Sequence, residues 1–391
     1  MKQHITAPVF ALAFRPFFLL AGLFAIVSML TWMAQYSLSF NINLPLTGTI
    51  WHSHEMIYGY SLAVIAGFLL TAVKNWTGIQ TINGNLLMLL ALSWVLARLL
   101  PFLPFNSNIY WMAGFDILFL LGLCISFAIP VFRSRQWKQV GILSKLILFL
   151  IGNIIFYLGR FDFLESGMQW GLYGGLYLII ALIFMMGRRV IPFFIEKGLG
   201  GKAVVNNSRF IDITSLLFFV IFALSDIILP DSIWVTISAS ILLVIHLIRL
   251  MMWYQHGIWS VPLLWVLYVS YIFLTFAFGL KVASSLYDVS PFLALHAFAV
   301  GGIGIMTIGM MSRVTLGHTG RDISTPPRLL SVALIAIILS AGFRILAPWA
   351  FNEQYMIWII TSQVLWIIAF TLFVSIYAPM LVKPRIDNQP G

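Results

Sequence analysis

WHSHEMIYGYSLAVIAGFLLTAVKNWTG, residues 51–78, sets two histidines and a carboxylate at the mouth of an apolar run. The run is just long enough to cross a bilayer, which takes about 20 residues at 1.5 Å each. The stretch recurs, weakly but in register, near the other end of the chain. HAFAVGGIGIMTIGMMSRVTLGHTG, residues 296–320, keeps the spacing of 54–78, and His54/His296, Gly59/Gly301, Gly67/Gly309, Thr77/Thr319 and Gly78/Gly320 coincide. Two membrane helices are therefore expected, each beginning with a histidine.

The rest of the chain agrees with a membrane reading. Of 391 residues, 61% are hydrophobic and 9% charged, against about a quarter charged in water-soluble domains. This excludes a soluble enzyme and predicts an all-α polytopic helical bundle in contact with lipid. Twelve apolar segments are long enough to span: 16–37, 53–73, 85–104, 109–132, 141–159, 168–187, 210–229, 232–253, 259–280, 291–312, 328–347 and 355–378. Connections are short, and the longest, about 188–209, is basic and glycine-rich. The chain reads as one integral-membrane domain over 1–391, with a flexible tail at 383–391. A looser likeness of Arg189-Val190 to Arg313-Val314 suggests a four-helix unit used three times, with pseudo-threefold symmetry.

The net charge of +10 reports orientation rather than a nucleic-acid partner. With the N-terminus in the cytoplasm, eighteen of the 22 Lys and Arg residues fall inside, and only Arg98, Arg160, Lys281 and Arg344 fall outside. That asymmetry places both termini in the cytoplasm. The first apolar run is led by FRPFF and lacks a small-residue cleavage site, so it reads as a retained helix. Cys124 is the single cysteine. No intrachain disulfide and no CxxCH haem attachment can form, and any haem must be held by side-chain ligands alone.

Ionisable groups are costly in lipid and are functional candidates. The seven histidines are His4, His52, His54, His246, His256, His296 and His318. His54 lies about 30 Å above Lys74, and His296 about 25 Å above Arg313, so both reach the outer face. His246 belongs to the inner half, and His318 lies roughly 33 Å along the helix axis from His296. Outer and inner histidines therefore cannot share one metal. His54 and His296 are the candidate ligands of a haem iron, the alternative being histidines hydrogen-bonded between helices. His52 is separated from His54 by about 200° on a regular helix and is placed on a looser turn. There it is a candidate copper ligand, helped by Glu55 or Met56. The alternative role for Glu55 is to hold a histidine from behind. His246 and His318 are weaker metal candidates, and His4 and His256 read as solvated. Arg188, Arg189 and Arg313, with Arg321 and His318, form a basic cytoplasmic set suited to an anion such as a haem propionate. Positive-inside anchoring explains each arginine equally well. The Phe and Trp residues read as mainly lipid-facing and interfacial.

The segments FRPFFLLAGLFA (14–25), WHSHEM (51–56), GFLLTAVKNWTG (67–78), GRRVIPFF (187–194), PLLWVLY (262–268) and LHAFAVGGIGIMTIGMMSRVTLGHTGR (295–321) resemble the NnrS family. The resemblance covers nearly the whole chain. It implies a twelve-helix bacterial inner-membrane protein of nitric oxide metabolism or nitrosative-stress defence, containing non-covalent haem b and copper. Nitric oxide as ligand and an electron donor as partner follow from the same resemblance. One departure is Tyr268, which stands in the segment after PLLW where the family more often carries a histidine. The expected function is binding or redox handling of nitric oxide at a histidine-ligated haem. The alternative is a twelve-helix secondary transporter without a redox cofactor. Against it, Asp116, Asp226 and Asn153 are few for an ion-coupling site.

Overall fold

The computed structural model describes residues 7–104, 108–201, 203–387 and 389. His4 lies outside them, as do 388, 390 and 391 of the expected tail. Among the described residues twelve helices are long and apolar enough to cross a membrane: α1 Phe14–Ser37, α2 Gly48–Thr77, α3 Gly84–Phe102, α4 Asn108–Arg133, α5 Trp137–Arg160, α6 Gly167–Gly198, α7 Arg209–Ile228, α8 Ile233–Trp253, α9 Pro262–Leu286, α10 Pro291–His318, α11 Arg328–Ala350 and α12 Tyr355–Val382. No strand occurs among the described residues. The protein is an all-α polytopic membrane bundle.

Two boundaries differ from the sequence reading. Much of the connection expected over 188–209 is helix, because Ile191 and Ile195 continue the buried face of α6. The helix ends where Gly200 and Gly201 adopt φ of +69° and +74°, a region that glycine enters at little cost. The first histidine-led helix also starts earlier, at Gly48 rather than 53, while the second starts at Pro291 as expected, and each histidine is preceded by a regular turn.

Backbone contacts group the chain into two compact units. The first comprises Met1–Gly175, Met311–Asp322 and Phe370–Gly391. Within it, Gly67 of α2 lets α1 approach so closely that an added Cβ would lie 2.8 Å from Phe18. Gly159 and Gly167 bring α5 and α6 together backbone to backbone, as small residues do between helices in lipid. Arg15 is fully buried, and its Nη1 donates to the carbonyls of Leu381 (3.0 Å) and Lys383 (2.7 Å). A cation there offsets the negative end of α12.

The second unit comprises Leu176–Met310 and Ile323–Ala369. Its core is aromatic: Phe184, Phe219, Phe222, Phe278 and Phe298 are buried against one another. These phenylalanines are exceptions to the expectation that the Phe residues mainly face lipid. Offset and edge-to-face ring packing supplies specific geometry where apolar burial alone cannot distinguish lipid from protein. α11 and α12 are tied by reciprocal bonds, Ser340 Oγ to Ser362 O and Ser362 Oγ to Ser340 O, each 2.8 Å.

Candidate functional site

The sequence likeness between α2 and α10 is matched by their backbones. In α2, a regular turn Gly48–His54 is followed by a π-helical segment, Glu55–Ser61, before the α-helix resumes. In α10, Pro291–His296 is followed by the π segment Ala297–Gly304. Each histidine is thus the last residue before a widened turn. Such turns are rare and concentrate at functional sites. A wide turn also tilts carbonyls out of the helical ladder, and both are met from a neighbouring helix. Trp94 Nε1 donates to Gly59 O (3.0 Å) and Ser270 Oγ to Gly302 O (2.8 Å). The helices finish alike, with Gly78 at φ +70° and Gly320 at +77°.

In the first unit, His54 is fully buried and lies in a charged network. Its Nδ1–H donates to Glu55 Oε1 at 3.1 Å, the partner expected if Glu55 holds a histidine from behind. Glu55 Oε2 pairs with Arg98 Nη1 at 3.1 Å, and Arg98 Nη2 pairs closely with Asp116 Oδ1. Tyr157 OH donates to Asp116 Oδ2 at 2.6 Å. Glu55 and Asp116 are each 1% exposed and Arg98 3%. Two carboxylates and a guanidinium are tolerable in a dry interior only because each is paired. Leu46, Trp51, Ile109, Met112, Phe156 and Tyr157 form an apolar cluster beside the network.

His54 Nε2 faces Asn153 Oδ1 at 3.1 Å, with Asp116 Oδ2 at 3.7 Å. With Nδ1 protonated, Nε2 carries a lone pair and cannot bond an amide oxygen. Asn153 Nδ2, meanwhile, is buried without a hydrogen-bond partner among the described residues. Turning the amide over lets Nδ2–H donate to Nε2 and satisfies both groups.

His296 belongs to the second unit and is half-buried. Its Nδ1–H donates to Phe292 O at 2.7 Å. His52 is part of the regular turn Gly48–His54, not of a looser one, and lies flat on Trp32, with centroids 4.7 Å apart and planes at 9°. The helpers expected for it are engaged elsewhere: Glu55 binds His54 and Arg98, and Met56 Sδ accepts from Ser28 Oγ at 3.7 Å. Tyr268, in place of the family's histidine, donates to Leu250 O at 2.8 Å. Among the described residues no group of three or more His, Cys, Asp or Glu side chains is arranged to hold a metal ion.

His54 and His296 each have the chemistry of a haem-iron ligand. Each spends Nδ1–H on an oxygen of its own helix, which fixes the ring and makes Nε2 the coordinating nitrogen. At His54 the Asn153 side chain fills the Nε2 direction, so ligation there requires that amide to swing aside.

Other candidates have structural surroundings. His246 is fully buried against Phe184 (4.2 Å). Tyr271 OH accepts from Arg249 Nη1 (3.3 Å) and donates to His246 Nδ1 (2.8 Å), while Nε2–H donates to Ser215 Oγ (3.3 Å). Both ring nitrogens are in use. Asp212 joins Arg249 (2.7 Å) to Arg188 (3.1 Å). Arg189 is exposed, Arg313 is buried, and His318 packs on Phe14 at 5.5 Å. His256 is exposed. Near the other end of the second unit, Asp226 accepts from Tyr177 OH and pairs with Lys281 at 2.5 Å.

Arg98, Tyr157 and the gathering of Asp116 and Asn153 were missed in the sequence. One signal was present: Gly48, Arg98, Asn108 and Arg160 all mark the same end of successive antiparallel helices, so polar residues within about two turns of those ends share a layer. Gly59 completes the layer, because an added Cβ would lie 2.7 Å from Arg98 Nη1 and 3.0 Å from Glu55 Oε2. Gly59→Ala is expected to cost about 1–3 kcal/mol through forced displacement of that pair. A thermal midpoint in detergent equal to wild type would show that the pair moves freely.

A family model described as "NnrS protein" matches residues 8–385. No curated protein matches the chain. With the model spanning nearly every described residue and all twelve helices, the chain belongs to the NnrS family.

Proposed function

We propose that this protein acts in nitric oxide metabolism at a bacterial inner membrane, with His54 and His296 as ligands of a non-covalent haem b. The observation that supports this reading is the shared device at the two residues: an imidazole anchored through Nδ1 at the entry to a π segment. When bound, haem would supply an iron that takes up nitric oxide once one of the two imidazoles yields its place. The chain's own residues set the ring orientation through Glu55 and the Phe292 carbonyl. Arg98 holds the Glu55 carboxylate in place. Arg313 lies about 25 Å along α10 from His296 and Arg189 shares its cytoplasmic end, so these arginines stand beyond the reach of that haem's carboxylates, and Arg188 already binds Asp212. Copper at His52 was expected with help from Glu55 or Met56, and with both engaged elsewhere the side chains around that ring do not complete a copper donor set. Detergent-purified protein reconstituted with haem should show a Soret band that shifts on addition of nitric oxide under reducing conditions. No band after haem supplementation overturns the proposal.

The orientation carries its own prediction. With both termini cytoplasmic, Asn43→Cys in a Cys124→Ser background should react with an impermeant maleimide in intact spheroplasts, and Lys138→Cys should not. Both positions are exposed. Labelling of position 138 alone reverses the topology and moves the His54 layer to the cytoplasmic side.

A second reading gains support from the structure. The polar residues that looked too few for a transporter are gathered: Glu55, Arg98, Asp116 and Asn153 in one unit, Tyr177, Asp226 and Lys281 in the other. Paired intramembrane charges are also what ion-coupled transport uses. Substrate uptake into proteoliposomes by haem-free protein would favour it.

A further inference from the structure

We infer that the first unit holds a binding site for a phosphate-bearing anion at the end of the bundle opposite the His54 layer. The C-termini of α2, α10 and α12 converge there with the start of α1. Phe14 N–H donates to Thr71 Oγ1 (3.0 Å) one turn before Lys74, His318 packs on Phe14, and Arg15 bonds the last carbonyls of α12. The chain after α12 returns over the end of α10. Ile386 N–H donates to Thr319 O (3.3 Å) and Arg385 Nη1 to His318 O (3.2 Å). Arg385, Lys74 and Arg15 act electrostatically on His318, and Arg385 and Arg321 on Arg15.

Three permanent cations, Arg15, Lys74 and Arg385, therefore surround one imidazole, and Arg321 stands beside Arg15. Asp387 pairs with Arg385 at 2.5 Å. Arg385 in turn holds the Asp387 carboxyl at about 2, well below the usual range. Lys74 and Arg321 form no ion pair among the described residues; the one hydrogen bond shown for the Arg321 side chain goes to the Thr319 carbonyl. Three helix C-termini contribute roughly half a negative charge each and one N-terminus half a positive charge. Counting Asp387 and the exposed Asp322 against the cations still leaves about one positive charge without an answer. Exposed Lys383 adds to it. Ordinary orientation signals are solvated side chains, whereas Arg15 is fully buried and Lys74 and Arg321 are half-buried. A phosphate group supplies the missing charge and several acceptor oxygens, and the site's place at a membrane face offers a lipid headgroup as its source.

The test compares wild type, Lys74→Gln/Arg321→Gln and the control Arg135→Gln, an exposed arginine outside the cluster. Binding to detergent-solubilised phosphatidylglycerol, to phosphatidylcholine and to inorganic phosphate is read by thermal shift. Wild type and the control should bind the anionic lipid alike, and the double variant about 30-fold more weakly, the worth of two basic side chains at an anionic surface. Protection by inorganic phosphate at the same sites would support the inference with a free anion as ligand. Equal binding by all three proteins, or equal protection by phosphatidylcholine, overturns it. If the double variant does not fold, Lys74→Arg/Arg321→Lys must retain binding and Lys74→Gln alone must weaken it. Haem content is read in parallel, so failure here is separable from failure of the haem proposal.

Discussion

His54→Ala and His296→Ala should each lose most of the haem while still inserting and eluting as folded protein in detergent. Non-covalent haem is held mainly by its axial imidazoles and by burial, and with no CxxCH in the chain there is no covalent tether to keep it after a ligand is lost. The two variants should differ in stability. At His296 the removed ring leaves the Phe292 carbonyl, which lies near the helix start. At His54 it strips a partner from Glu55 and from Asn153 in a fully buried layer, an additional cost of about 1–3 kcal/mol. Haem-to-protein ratio from the pyridine haemochrome, with the ferric and ferrous spectra, measures the outcome. Full haem with unchanged spectra in both variants would make the pair structural.

Arg98→Leu should be the most destabilising single change in the first unit. It removes the cation shared by Glu55 and Asp116, both almost wholly buried, and uncompensated buried charge costs about 3–5 kcal/mol. The expected result is a large drop in thermal midpoint and in membrane yield. Adding Glu55→Gln and Asp116→Asn should recover more than half of the loss, because neutral amides no longer need the guanidinium. A single variant within about 0.5 kcal/mol of wild type would mean that water or another cation reaches the layer.

The helices were legible because lipid leaves a chain few options. Twenty apolar residues without charge can cross only as a helix, and all twelve segments follow from that rule. The likeness of 54–78 to 296–320 was legible as letters, but the π segments were not. A widened turn leaves no compositional mark, and only the recurrence of His with Gly five residues later hinted at one. The His54 layer was hidden for another reason. Arg98 sits close to a helix end and read as an interfacial charge, Asp116 and Asn153 are isolated in sequence, and their meeting depends on how α3, α4 and α5 rotate about their axes. Glu55 was correctly suspected as a partner of a histidine because the two are adjacent. His52 reads as part of a loose turn because the apolar run begins at 53, while Thr47 and Gly48 begin the helix about a turn before it.

The π segments also change what a residue number means along these two helices. An extra residue in a turn rotates everything beyond it by about 100° relative to an unbroken helix. A single helical wheel drawn through α2 therefore assigns the wrong faces either to His54 or to Gly67, which packs on Phe17 and Phe18. For the chain, loss of one residue between 55 and 61 would act less as a shortening than as a twist. The wide turn could relax to an ordinary one, and the histidine would swing away from Asp116 and Asn153 while the lower half of the helix kept its seat.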